Sequence, residues 1–555
     1  MNSAVPASPS TTGILIVGAG PTGLTMANAL AAYGIPFTII DRKSGPSRDS
    51  KALALNLASQ HVLESLGMKG MLGTSNGRLR RVTVHWKDMR LTKVDLRRLN
   101  FDHRELIVQP QSETECELIE ALRHRGGDVS WNTRLLDITE HDQHIEALIE
   151  HADGSRSTQT FSYAVGCEGK GSLVANRIGV QYDSIDYPAH FVLGDFSLRW
   201  NASRHEGHYY VDDDGFFIIL PVGENYWRVV VKRDGTVPEH RPVTVSDVTD
   251  YVEKRLGKDI FAGQPSWLSR AAFYMRIANR LRSKRLFIAG DAAHLFSPIG
   301  GTGMNTGMQD ALNLAWKLAL HYRGVACEKL LDSYESERLE IIRATGAATD
   351  KSTRLIARLD DDPASIAPLL PKMSNRKVLR SVLPVLHSGL GVASPQAFAG
   401  CSDDAVPGSR RAGQICLAQR EFSSILQRAG IQSTTNQGLP KLLAVARPEG
   451  SEDAIQLRGL LAGLQAYAGL VDVLILTEDP TALPAMQNAA TIVFASPSQA
   501  ALAYGDIGRH GLLLVHPDAV IGFSGSVMQP ERLLQSLDMH FAHRPQSPQS
   551  IANAA

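Results

Sequence analysis

The segment Gly13–Arg42, GILIVGAGPTGLTMANALAAYGIPFTIIDR, decides how the chain begins to fold. Ile14 to Val17 is an unbroken apolar run, the pattern of a parallel strand buried on both faces. A glycine turn follows. Leu24, Ala27, Leu30 and Ala31 then share one face at helical spacing, which predicts a helix from Pro21 to Tyr33. Gly34 suits the helix stop, with Pro36 just beyond it. Phe37 to Ile40 is a second apolar strand, so the whole reads as one βαβ unit. Within it, Gly18-Ala19-Gly20-Pro21-Thr22-Gly23 matches the GxGxxG fingerprint. Gly18 permits the tight turn, Gly20 lets backbone approach a pyrophosphate, and Gly23 lets helix pack on strand. The free N–H groups and positive dipole of the helix end attract that anion. Asp41, ending the second strand, is placed to bind ribose hydroxyls. A dinucleotide is expected here rather than a bare glycine turn, and the hexapeptide alone does not separate FAD from NAD.

A second stretch, LFIAGDAAHLFSPIGGTGMNTGMQDALNLAWKLA at Leu286–Ala319, narrows the choice. Leu286 to Ala289 reads as a buried strand ending in Gly290 and Asp291, and Pro298 to Gly303 as a glycine-rich turn. Asn305 onward reads as a long amphipathic helix. A carboxylate at the strand end can hold a second ribose or a ribityl chain. Backbone N–H groups near Gly303–Asn305 can stabilise negative charge on the pyrimidine side of a reduced flavin. The alternative, another turn and helix of a doubly wound fold with His294 as an ordinary cap-region residue, carries little weight over so long a stretch.

Composition bounds the rest. The 555 residues carry 57 Lys+Arg against 57 Asp+Glu, and such a length allows roughly two to four domains. Zero net charge leaves no electrostatic footprint for nucleic acid or an anionic membrane. The 5 cysteines are irregularly spaced and lack CxxC. No disulfide framework, zinc ribbon or dithiol centre is therefore expected, and no metal site is assigned. No stretch approaches the roughly 18 apolar residues of a membrane span. Residues 1–12 read as a disordered lead rather than a signal peptide, so a cytoplasmic protein is expected.

Between the two motifs, Ser112 to His124 is predicted helical, with Ser112 and Glu115 spaced as a capping box. HYYVDDDGFFIILPVGENYWRVVVK, at His208–Lys232, reads as antiparallel strands turning at Asp213–Gly215 and Gly223–Asn225. Ser388–Gly413 has linker composition. Gln414–Phe541 reads as a small α/β domain, with strands at Leu442–Val445, Val471–Leu476, Thr491–Phe494 and Gly511–Val515 and a helix at Asp453–Ala468.

The GDAAH…P…GG.GMN….DA.NL.WKL pattern resembles the FAD-dependent aromatic hydroxylases, single-component flavoprotein monooxygenases that include the p-hydroxybenzoate and phenol hydroxylases. The likeness runs from about Gly13 to Arg343. It implies an α/β fold with a discontinuous Rossmann-like FAD-binding domain of glutathione-reductase type at 1–75, 100–185 and 270–385. A mixed or antiparallel substrate sheet (76–99 and 186–269) would be inserted in it. A linker (386–413), a thioredoxin-like C-terminal domain (414–541) and a disordered tail (542–555) would follow. LLLVHPDAVIGF at Leu512–Phe523 carries the likeness of that last domain, whose role without CxxC would be structural or interfacial.

By the same likeness, Gly18, Gly20, Pro21, Thr22 and Gly23 would cradle FAD, and Asp41, Arg42 and Lys51 would bind its adenosine end. Gln111, within PQSETE, would contact the cofactor near the flavin, with Glu168 and Gly169 close by. Asp291 would hold the ribityl chain, while Pro298, Gly301, Gly303, Met304 and Asn305 would line the ring. The implied activity is hydroxylation of a phenolic or natural-product-like aromatic compound. NADPH or NADH would reduce FAD transiently, and a flavin C4a-hydroperoxide formed from O2 would donate the oxygen. The substrate would lie between flavin and sheet, with Tyr210, Phe217, Ile219 and Tyr226 as contacts. His208 would act as a base on a phenol, and Pro298 would flank the reacting centre. Strand alternation sends only one parity inward, and the sequence does not say which. The expected partners are the aromatic substrate and O2, without nucleic acid or a membrane span; a homodimer is allowed.

Three departures stand out. Glu168 stands where the family has Asp, Gly171 and Ala175 occupy positions often held by Arg, and Lys51 replaces a common Arg. No second GxGxxG occurs, so NAD(P)H would bind on the FAD scaffold. These departures keep a second reading open, a scaffold protein that sequesters an aromatic intermediate without turnover. A flavin halogenase is set aside, because the 6 tryptophans never fall two apart as a WxWxIP segment requires.

Overall fold

The computed structural model describes residues 13–47, 52–68, 77–86, 89–96, 105–212, 215–234, 242–297, 301–356, 438–448, 451–477, 492–495, 510–518 and 520–541. Lys51, Pro298, Asp213, the lead 1–12, the linker 386–413 and the tail 542–555 lie outside the described residues. The helices referred to below are α1 (Pro21–Ala32), α2 (Leu57–Ser65), α3 (Gln111–His124), α4 (Leu173–Ile178), α5 (Ser246–Leu256), α6 (Thr302–Tyr322), α7 (Glu328–Ile356), α8 (Ser451–Leu464) and α9 (Pro530–His540).

The apolar run Ile14–Val17 is β1, and it pairs in parallel with β2 (Phe37–Ile40) on one side and with strand Tyr163–Gly166 on the other. Leu286–Ile288 and Val129–Ser130 complete a five-stranded parallel sheet. Ile14, Leu15 and Ile16 have no exposed surface, as a doubly covered sheet requires. Helices α1 and α6 pack on one another. Their close approach depends on small residues. A Cβ on Gly290 or Gly307 would stand 2.3 or 2.4 Å from the Thr22 hydroxyl, so Thr22 fills a notch that only glycine leaves. Helix α6 begins at Thr302, three residues before the sequence places it, because Gly301 adopts the left-handed conformation that turns the chain into it.

The second sheet has eight strands, in the order His294–Leu295, Trp267–Ala278, Tyr182–Phe196, Tyr226–Asp234, Gly215–Val222, Glu206–Asp212, Arg81–Trp86 and Met89–Asp95. It is antiparallel except where Glu206–Asp212 runs parallel to Arg81–Trp86. One face is covered by α5, whose Val248 and Val252 share a core with Tyr210, Phe217, Ile219, Trp227 and Val231. The opposite face, with Phe191, Leu193, Phe216, Ile218, Met275 and Ile277, joins the core that contains β1, α1 and α6.

The C-terminal block is a five-stranded sheet ordered Ile492–Ala495, Val471–Leu476, Leu442–Ala446, Gly511–Val515, Ile521–Ser526. The first three strands are parallel and the last two run antiparallel. This block docks on the outer side of α6 and α7. Asn313 Nδ2 donates to Asp518 at 2.5 Å and to Glu337 at 3.0 Å, and the Trp316 ring lies 5.0 Å from that of His516. Lys317 and Glu337 form an ion pair of 2.8 Å beneath, both almost without exposure. Among the described residues no helix is long and apolar enough to cross a membrane.

Candidate active site

The glycine loop is built by close approach. Gly18 has φ +103°, and a Cβ there would stand 2.4 Å from the Cys167 carbonyl oxygen. A Cβ on Gly23 would meet the Gly18 carbonyl oxygen at 1.9 Å, which fixes how tightly α1 sits on the loop. Gly20, the N-cap, is the opposite case, since its open side meets no protein atom within 4 Å. Asp41 ties the loop down: one carboxylate oxygen accepts the Ala19 N–H and the other the Lys43 N–H, both at 2.8 Å. Arg42 beside it is exposed.

The second carboxylate, Asp291, is exposed in the turn Gly290–Ala292 that ends the parallel strand. A Cβ on Gly169 would come within 3.8 Å of it, which places the Glu168–Gly169 turn against Asp291. Beneath lies a charged cluster that sequence reading missed. Asp310 on α6 accepts from His294 Nε2 at 2.7 Å and from the Gly290 N–H at 3.2 Å through one oxygen. Its other oxygen accepts from Arg338 Nε on α7 at 2.7 Å. Burial alone would raise its pKa, but Arg338 and His294 outweigh that and hold the carboxyl at about 2. His294 is therefore a support of the Gly290–Asp291 turn, and the signal was its spacing from Asp310 within the quoted pattern.

At the start of α6, Gly301 and Gly303 leave open sides, while Met304 packs partly against the core. Asn305 is 1% exposed and its amide is committed internally. It accepts the Asn56 N–H at 2.9 Å and donates to the carbonyls of Ala54 and Gly301 at 2.9 and 2.7 Å. Its side chain thus positions the Ala54–Asn56 segment against the helix start. Gln111 donates to Glu115 at 2.8 Å, and the second oxygen of Glu115 accepts the Ser47 N–H at 2.9 Å. The expected capping box does not form. Helix α3 starts at Gln111 with Pro110 as N-cap, which puts Ser112 inside the first turn and leaves Glu115 to bind elsewhere.

Glu168 holds the turn that leads into α4. The carboxylate accepts from the Ser172 hydroxyl and, at 3.1 Å, from the Leu173 N–H, so it caps the start of α4. Burial pushes its pKa up. Gly171 has φ +84°, a conformation an arginine would adopt only under strain. Exposed Lys170 lies over the Tyr274 ring at 5.0 Å, as does the Arg276 guanidinium at 5.4 Å.

The sheet residues require correction. Tyr210, Phe217 and Ile219 belong to the core under α5 rather than to the face shared with the FAD-side helices. His208 pairs with Ile219 across the strands and is on the same side, against Trp200 and Tyr210, with Nδ1 at 3.2 Å from His85 Nε2. Burial, which outweighs nearby Glu206, lowers its pKa to about 4. It therefore lies on the α5 face of the sheet, away from the core that holds the glycine loop and α6. Tyr226 is 41% exposed at a strand start. The opposite parity, Tyr209, Phe216, Ile218 and Phe191, faces the FAD-side core. Burial raises the Tyr209 hydroxyl to about 12.

The open sides of Gly20, Gly301 and Gly303, set between two carboxylates, fit FAD. The comparisons with known proteins agree. The FAD binding domain profile matches residues 11–349. An uncharacterised aromatic compound monooxygenase of Bacillus subtilis is 34% identical over 346 residues, which is 62% of this chain and 68% of that protein. The 6-methylpretetramide 4-monooxygenase of Streptomyces rimosus is 32% identical over 350 residues, 62% of each chain. An anhydrotetracycline hydroxylase structure from Streptomyces rimosus shares the fold, with TM-score 0.71, 24% identity, and coverage of 96% of this chain and 99% of that one. With more than half its length matched, the chain belongs to the FAD-binding-domain family, the FAD-dependent aromatic monooxygenases.

Proposed function

We propose that the chain hydroxylates an aromatic small molecule held between the Tyr209–Phe216 face of the eight-stranded sheet and the start of α6, consuming O2 and NADPH or NADH. The observation that carries this reading is the continuity of that aromatic face with the core holding the glycine loop and α6. Gly18 to Gly23 and Asp41 would hold the dinucleotide, and Asp291 with Gly301 to Asn305 would hold its other end. Bound FAD supplies the activation of O2 and the transfer of oxygen.

The chain supplies position and environment. Phe191, Phe216 and Ile218 exclude water from the aromatic ring. Tyr209, neutral at ordinary pH and held further from ionisation by burial, donates a hydrogen bond to a phenolic oxygen rather than taking its proton. Lys170 and Arg276, both over Tyr274, offer cationic charge to the phosphates of a transient nicotinamide cofactor. The structural cap made by Glu168 supports turnover over sequestration, since the departure from Asp leaves the turn intact. The domain division given above is part of the same proposal. The strand order of the C-terminal sheet, with three parallel strands beside an antiparallel hairpin, supports a thioredoxin-like reading. Anaerobic mixing with NADPH or NADH, with and without phenolic ligands, tests the proposal. Flavin bleaching, followed in air by a product heavier by one oxygen atom, is expected. No reduction under any condition would sink it and favour sequestration.

A further inference from the structure

We infer a divalent-metal site at the tip of the hairpin formed by Arg134–Glu140 and Ile145–Glu150, made by His141, His144 and Glu146. The turn closes through the His141 N–H, which donates to the His144 carbonyl at 2.9 Å, and the two imidazoles stack with centroids 4.6 Å apart. Strand alternation does the rest. Ile145 is fully buried, so Glu146 points to the side occupied by the two rings. Its carboxylate faces both of them, with Oε2 at 3.5 Å from His141 Nε2 and Oε1 at 3.7 Å from His144 Nε2. All the ligand atoms lie within 4.8 Å of one another.

These separations are long for hydrogen bonds and close to those of ligands that share an ion, the carboxylate turning a different oxygen to each ring. Two donors on a tetrahedral centre with bonds of roughly 2.0–2.2 Å stand roughly 3.3–3.6 Å apart. His141 Nε2 is buried without a hydrogen-bond partner, which is the condition an ion would relieve. Two imidazole nitrogens with one carboxylate suit Zn2+ or a neighbouring first-row divalent ion, and not Mg2+ or Ca2+, which take oxygen donors. Asp142 stays outside the set, because Lys284 holds its carboxylate at 2.6 Å. Three protein donors leave water to complete the coordination.

The hairpin is rigidly mounted. Glu140, just before His141, accepts the Ser283 hydroxyl at 2.5 Å, the Leu286 N–H at 3.2 Å and the Arg285 N–H. The hairpin thereby grips the segment that leads into strand Leu286–Ile288. A bound ion would brace that attachment from outside the flavin site, so the inference stands whether or not the hydroxylation reading holds.

The test uses the untagged, FAD-loaded chain, stripped with a chelator and dialysed against Zn2+ or Co2+ at micromolar free ion. One ion per chain is expected, with visible d–d absorption for Co2+. Outer-shell partners in metal sites are worth about 10–100-fold in affinity, so the His141→Ala/His144→Ala variant should bind at least about 100-fold more weakly. Glu146→Gln, which keeps shape and both imidazoles, should weaken binding measurably and serves where the double variant loses flavin. Failure to bind stoichiometrically, or binding unchanged in Glu146→Gln and in the double variant, would overturn the proposal.

Discussion

Asp310 and Arg338 meet at 2.7 Å with almost no exposure on either side chain, and Asp310 also accepts the N–H of Gly290, the neighbour of Asp291. The pair holds two helices together and leaves the second Asp310 oxygen for the backbone of Gly290 and for His294. Removing one member of a buried pair leaves an unpaired charge and costs about 3–5 kcal/mol. Arg338→Met is expected to lose about that much in denaturant unfolding and to shed flavin. The Asp310 carboxyl, folded, titrates at about 2 rather than 3.8, so its stabilisation is present above pH 3.8 and fades as pH falls toward 2. In the variant this acid limb should flatten, because Asp310 without Arg338 no longer titrates far below its unfolded value. An unchanged limb would contradict the pairing.

The glycine loop separates packing from binding. Gly23→Ala drives a methyl into the Gly18 carbonyl and should lower the melting temperature along with flavin content. Gly20→Ala meets no protein atom, so its cost should appear only as weaker FAD binding in a fold of ordinary stability. Comparing flavin absorbance per chain with the melting point of the apoprotein checks the distinction.

Asp291→Ala should lose bound FAD and yellow colour, because the exposed carboxylate is the group assigned to the ribityl chain. Full flavin retention would remove that role from it.

Neighbouring tyrosines on one strand should behave oppositely. Tyr210→Ala empties the core under α5 and is expected to cost about 3–5 kcal/mol of stability. Tyr209→Phe keeps the packing and removes only the hydroxyl proposed to meet the substrate. It should lower kcat/KM for phenolic substrates with little change in unfolding. The reverse outcome would place the substrate on the other face.

His516 gives the C-terminal contact a pH signature. Burial is the main cause that lowers its pKa to about 4, with Lys317 and His540 adding to it and Glu337 and Asp518 opposing. The unfolded chain takes up that proton first on acidification. The contribution is therefore complete above pH 6.5 and is lost as pH falls from 6.5 toward about 4, at about 1.4 kcal/mol per unit. His516→Gln should flatten this limb in urea unfolding measured between those values.

The sequence motifs located the glycine loop, Asp41, Asp291 and the start of α6 because each depends on local geometry: a turn, a strand end, a helix entry. The registers Val471–Leu476 and Gly511–Val515 were legible for the same reason, as short apolar runs between turn residues. What local pattern could not fix was which side of a strand faces which neighbour. His208, Tyr210, Phe217 and Ile219 form one consistent face, and only the docking of α5, some thirty residues further on, makes it part of a separate core. Arg338 escaped notice because its partner lies 28 residues away on another helix, and nothing in either segment announces the pair.

Helix α6 begins beside the flavin site and presents Asn313, Trp316 and Lys317 to residues some two hundred positions later in the chain. On a ribosome those residues emerge long before their cover. In the folded chain Asp518 and His516 lie against the Lys317–Glu337 pair, and the Cys327 N–H reaches the His540 carbonyl at 3.0 Å. The outer side of α6 is therefore covered only once the C-terminal block has been made, and a chain cut before His516 should leave that side bare.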